Sequence, residues 1–154
     1  MATQITAREG WGKMSEQREI LFKGISIKNG EWVEGDLVQN CNHNGGVSIW
    51  SRNIFMQMPL VHPSTVCQFT GLLDSKGDKI FDNDKVNLFF EPYEGVEGSV
   101  PSNYDGVIQI KHWGLYFKTD SKNSEGNDAS NFLLDYYGVD QEALTLLGNI
   151  HDKR

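Results

Sequence analysis

Between Arg18 and Asn40 the apolar side chains recur at close to two-residue spacing: Ile20 and Phe22, Ile25 and Ile27, then Trp32, with Leu37 and Val38 beyond. A period of two sends alternate side chains to opposite faces of a strand, so this stretch predicts a pair of half-buried strands. Asn29-Gly30 interrupts the alternation; both residue types tolerate positive φ, which predicts a hairpin turn there. Gly35-Asp36 predicts a bend or break in the second strand. Farther along, Val47–Trp50 predicts a short strand, and Thr65–Leu72 is rich in strand formers. Lys79–Phe90 reads as strand, tight bend, strand. Val107–Asp120 predicts a second hairpin with Trp113-Gly114 near its apex.

The intervening stretches carry turn chemistry. Asn40–Val47 is a loop by composition, Asp74–Asp78 a turn, and Glu91–Gly106 a long loop of glycine, proline and acid. Ala129–Leu144 predicts one short helix near the C-terminus, capped by Ser130 or Asn131 and ended by Gly138. Leu144–Ile150 then predicts a closing strand. Many short strands with frequent glycine turns point to a mainly β fold, a small barrel or sandwich of short antiparallel strands. Residues 1–17 are polar and without period, and read as an N-terminal extension, with Met14 as an alternative start; residues 18–154 read as a single β-rich domain.

Composition narrows the function more than the fold. A chain of 154 residues with four tryptophans has enough apolar mass for one substantial core. Its formal charge of −7 repels phosphate backbones at long range, which ranks general nucleic-acid binding below protein partners. Two cysteines and no apolar leader imply reduced thiols and a cytoplasmic protein, with no membrane partner.

The densest cluster of chemistry-bearing residues is Asp74, Asp78, Asp82 and Asp84. An EF-hand needs glycine at its sixth position and glutamate at its twelfth. Counted from Asp74, those positions hold Lys79 and Lys85. Turn chemistry explains the cluster instead. Asp74 begins a turn that Gly77 finishes, and in Asp82-Asn83-Asp84 a short carboxylate accepts from backbone N–H groups. Phe81 is expected in the core, with Val86 and Leu88 sharing one strand face.

Cys41, His43, His62 and Cys67 are zinc-ligand types, but Cys-x-His and His-x4-Cys are not knuckle spacings. They read as a loop histidine, a histidine before a proline and two reduced thiols, one of them buried in a strand, and no cofactor is expected. Ser48, Ser64, Thr65, His112 and His151 stand in no recognisable nucleophile context, so no catalytic residue is assigned. Lys111, Trp113, Tyr116 and Lys118 interleave cations with aromatics on one hairpin. That pattern could stack single-stranded bases, but in an acidic chain ordinary strand alternation of aromatics between core and surface is the favoured reading.

Three segments together carry a likeness: "REILFKGISIKNGEWVEGDLVQ", "STVCQFTGLLDSKGDKIFDNDKV" and "LLGNI". In order and spacing they resemble the YopX-like family of bacteriophage and prophage proteins. Thr65-Val66, Gln68–Leu72, Gly77, Ile80-Phe81, Asp84 and Val86 fall on the family pattern. Cys67 and Asn83 stand where the family usually has glycine. The resemblance implies an SH3-like β architecture and a phage or prophage origin, and supplies no catalytic residues. The functional expectation is a non-catalytic interaction module in the bacterial host cytoplasm, binding protein or itself through strand edges. A nucleic-acid-binding small barrel is the alternative, and a zinc-dependent enzyme a remote one.

Overall fold

The structure is a computed structural model that describes residues 19–40, 42, 44–52, 57–91, 94–98, 100–111, 114–119, 132–133 and 141–153. Its strands are β1 (Phe22–Ile25), β2 (Trp32–Gln39), β3 (Val47–Ser51), β4 (Leu60–Val61), β5 (Cys67–Leu73) and β6 (Lys79–Phe81). They continue with β7 (Asp84–Phe90), β8 (Ser102–Lys111), β9 (Gly114–Thr119), β10 (Phe132–Leu133) and β11 (Leu144–Asn149). One antiparallel sheet has the order β4-β3-β2-β1-β5-β6, the other β10-β9-β8-β7-β11. The mainly β expectation is met, in a sandwich-like arrangement; among the described residues neither sheet closes into a barrel.

The first sheet nonetheless curls strongly. Its outer strand β4 turns back toward the end of β1 through a bridge between Ser26 and Val61. Flanking that bridge, Ile27 N–H donates to Leu60 O and His62 N–H to Ile25 O, each at 2.9 Å. Glycine permits the curl. A β-carbon on Gly35 would clash with the Trp50 carbonyl across the ladder, far inside contact distance of its oxygen. Of the bend or break expected at Gly35-Asp36, the break is absent: β2 runs through it, and the glycine is there for close approach of β3.

The two sheets share a core. Val86 and Leu88 of β7, Ile108 of β8, Phe117 of β9 and Leu144 of β11 are fully buried on one face, and Ile80 of the first sheet packs with them. Leu21, Cys67, Phe69 and Phe81 form a second buried group, with the rings of Phe69 and Phe81 at 5.7 Å. Burying each such large side chain contributes about 1.5–3 kcal/mol. Phe81, Val86 and Leu88 thus lie where their spacing put them.

The Asn29-Gly30 hairpin is present; its turn runs through four residues, Ile27–Gly30, closed by Ser26 N–H to Glu31 O, and of these only Gly30 has positive φ, while Asn29 Oδ1 accepts from Glu31 N–H. Two local expectations are corrected. β8 begins at Ser102, inside the stretch expected as loop, because Asn103, Asp105 and Gly106 continue the ladder with β7. The C-terminal helix is replaced, where the chain is described, by strand and 3-10 turn. Phe132 and Leu133 pair with Phe117 and Tyr116 of β9, and Gln141–Ala143 is a single 3-10 turn. Pairing with β9 gives those backbone groups the partners a helix would have supplied. Residues 129–131 and 134–140, with the expected caps, lie outside the described residues, as does the extension 1–17.

Candidate functional site

β6 is the last strand of the first sheet and β7 the first of the second, so the Asp82-Asn83 bend carries the chain between them. Asn83 sits at φ 65°, a left-handed conformation that a short polar side chain tolerates. The bend is bonded to both sheets. Asp82 N–H donates to Gln68 O at 2.8 Å and Asn83 N–H to Ile108 O at 2.8 Å. The Asp82 carboxylate accepts from Ile110 N–H at 2.8 Å.

Asp84 lies at the centre of this junction and is fully buried. One carboxylate oxygen accepts from Phe81 N–H at 2.7 Å. The other accepts from Lys23 Nζ at 2.7 Å and Asn149 Nδ2 at 2.8 Å. The Lys23 ammonium also lies over the rings of Trp32 and Phe81, at 4.8 and 4.6 Å. Asn149, from the end of β11, has its side-chain oxygen taken by His151 N–H and its own N–H donated to Asp152 at 2.7 Å. Asp152 in turn accepts from the Trp32 indole at 2.9 Å. Residues 23, 32, 84 and 149 thus meet at one point, and among the described residues every buried side-chain nitrogen and oxygen has a partner. Charges buried this way hold only because each is paired and hydrogen-bonded.

Asp74 does a similar task at the margin of the second sheet. One oxygen accepts from Lys76 and Asp78 N–H, closing the turn, in which Gly77 has φ +85°. The other accepts from Leu146 N–H of β11 at 3.1 Å, while Ser75 N–H donates to Leu144 O. The turn therefore covers the outer edge of β11. Burial pushes the Asp74 carboxyl up, and three backbone N–H bonds outweigh it, leaving the group below the usual carboxylate range. Asp74 and Asp84 accept from backbone N–H groups of their own turns, as turn chemistry predicted, whereas the Asp82 carboxylate reaches across to Ile110 N–H of β8.

Of the zinc-type residues, Cys41 and His43 lie outside the described residues. His62 is exposed at the end of β4, whereas Cys67 is a fully buried free thiol that donates to Thr65 O at 3.3 Å. Burial pushes the Cys67 thiol up, opposed in part by the Asn149 amide. Among the described residues no group of three or more His, Cys, Asp and Glu is gathered.

The hairpin residues separate by strand parity. Leu115 and Phe117 point into the core, while Lys111, Tyr116 and Lys118 share the outer face of the second sheet; Trp113 lies outside the described residues. Lys111 Nζ lies 5.6 Å from the Tyr116 ring centroid. The register adds a residue that the linear pattern had not singled out. Lys85 pairs with Val107, and Val107 with Lys118, so Lys85 joins the same face.

A second open surface was not foreseen at all. On the outside of the curled sheet, Ile27 lies beside Leu60, and the ladder from Ile49 N–H to Pro59 O and Ser51 N–H to Gln57 O sets Met58 opposite Trp50. These four side chains are 53%, 41%, 45% and 54% exposed, so they form one apolar strip in solvent rather than scattered surface positions. At its Trp50 end lie Asp36, Arg52 and Glu19, in ion pairs; the Arg52 guanidinium holds the Asp36 carboxyl below its usual range.

Among the described residues no helix is long and apolar enough to cross a membrane. Searches of curated proteins and of solved structures found no match to this chain. Residues 13–153 do match the family described as YopX protein, nearly the whole chain and all three segments that meet at the sheet junction, and the chain belongs to that family.

Proposed function

We propose that this chain is a non-catalytic protein-interaction module, encoded by a phage or prophage and acting in the bacterial host cytoplasm, with the Ile27–Leu60–Met58–Trp50 strip as its docking face. The observation that carries the reading is the strip itself: four large apolar side chains, each about half exposed, in one row. Together they present on the order of 400 Å² of apolar surface, the size of the largest apolar patch on a typical soluble monomer, which is often functional. A tryptophan beside a charged rim is the composition of a binding hot spot.

Faces suit this protein better than edges for association. The β4 edge is bonded to Ser26–Ile27 and the β11 edge to the Asp74 turn, so two of the outermost strands already have their backbone partners. The bacteriophage origin rests on the resemblance of the three segments described above.

The test compares wild-type and Trp50→Glu protein as baits in a bacterial host, followed by titration of the purified partner. The variant should melt within about 0.5 kcal/mol of wild type, because Trp50 is exposed. A protein bound by wild type and at least tenfold more weakly by the variant is the expected result. Equal binding by both would remove the strip from the proposal.

A further inference from the structure

We infer that the outer face of β7, β8 and β9 binds single-stranded nucleic acid, through Lys85, Lys111 and Lys118 with Tyr116 as a stacking ring. This face lies on the second sheet, and the proposal is independent of the apolar strip on the first.

Charge complementarity carries it. The protein is acidic overall, yet three of its lysines are exposed on one face of one sheet. Among the described residues neither Lys85 nor Lys118 is ion-paired. The carboxylate on this face, Asp105, accepts from Asn87 Nδ2 at 2.8 Å. Val107 separates Lys85 from Lys118 by two strand spacings, so their stems rise about 10 Å apart. Toward the hairpin apex come Gln109, directly opposite Tyr116, and then Lys111. Toward the other end Phe89, opposite Asn103, is also exposed on this face. From Phe89 to Tyr116 the surface runs roughly 20 Å along the strands, with an aromatic ring at each end and cations between.

That layout matches a single strand better than a duplex. A flat sheet face does not enter a major groove, which admits a helix or a two-stranded ribbon. A single strand turns its bases outward, where aromatic rings can stack on them while cations follow the phosphates. Stacking on Tyr116 would displace the Lys111 ammonium from the ring toward a phosphate, exchanging one favourable contact for another.

The experiment is fluorescence anisotropy of a labelled deoxythymidine decamer and of the corresponding duplex, across a salt series. The expected result is micromolar binding at low salt, tighter for the single strand. Three lysine–phosphate contacts predict a slope of log K against log salt of about −2. Lys85→Glu with Lys118→Glu should weaken binding at least tenfold, and Tyr116→Ala about fivefold or more, with both variants melting like wild type. W50E should bind as wild type does. Absence of binding at low salt, unchanged binding by K85E/K118E, equal or tighter duplex binding, or loss in W50E would each overturn the proposal.

Discussion

The sheet junction and the Trp50 strip place residues against their usual preference, in opposite directions. At the junction, charged and amide side chains are buried: Asp84 is fully enclosed, and Lys23 and Asn149 close over it. On the strip, side chains of core type stand in solvent. The junction tolerates its charges because, among the described residues, every buried side-chain nitrogen and oxygen has a partner. The strip has acquired no such cover from the described residues. Charged and amide side chains are therefore occupied in holding the sheets together here, while side chains of core type are the ones left in solvent.

The largest effect expected at the junction is from Asp84→Ala, about 3–5 kcal/mol in denaturant melts, because it strands a buried ammonium as well as a backbone donor. This exceeds what loss of one backbone bond would cost, and the excess is the test. If Lys23→Met and Asp84→Ala together cost clearly less than the sum of the two single changes, Lys23 and Asp84 act as a pair. Strict additivity would dissolve the contrast with the strip.

A smaller effect is expected at Asp74. Its folded pKa is lowered, so its contribution is complete above the unfolded carboxyl value of about 3.9 and is lost as pH falls from there through the folded value. Asp74→Asn should cost about 1–3 kcal/mol at neutral pH, with a shallower fall in denaturant midpoint below pH 4 than wild type. An acid limb as steep as wild type would mean that other carboxylates set it. The smallest effect is expected from Asn83→Gly, within about 1 kcal/mol and on the stabilising side, since residue 83 needs positive φ. A clear loss in thermal melts would show that the Asn83 side chain, not only its backbone, supports the junction.

Much of this was legible in the linear pattern, and the misses have a common cause. The Asp82–Asp84 bend, the burial of Phe81 and the outward direction of Tyr116 follow from turn chemistry and a period of two, which are local. Lys85 could be placed with Lys118 only once the β7–β8–β9 register was known. Ile27, Trp50, Met58 and Leu60 come from three separate segments, joined by the return of β4 to Ser26, which no local pattern encodes. The helix expected around Phe132 failed for a related reason: a short apolar run fits either period, and pairing with β9 decided it. Lys23 and Asn149 gave no sign that they would meet across the fold.

That meeting also bears on the order in which the fold can form. Asp84 bonds Lys23 across 61 residues and Asn149 across 65. Leu144, on the same terminal strand, fills the shared core. During synthesis the first sheet can begin to form while its charged lysine still faces water, but the lock between sheets cannot close until the last strand has emerged. Contacts of such sequence separation carry a loop-closure cost before they return any stabilisation, so the final docking step should be slow beside hairpin formation. Nascent chains stopped before Leu144 would hold Asp84 without its amide partner and β7 with an open edge, a state more exposed to aggregation than the finished protein.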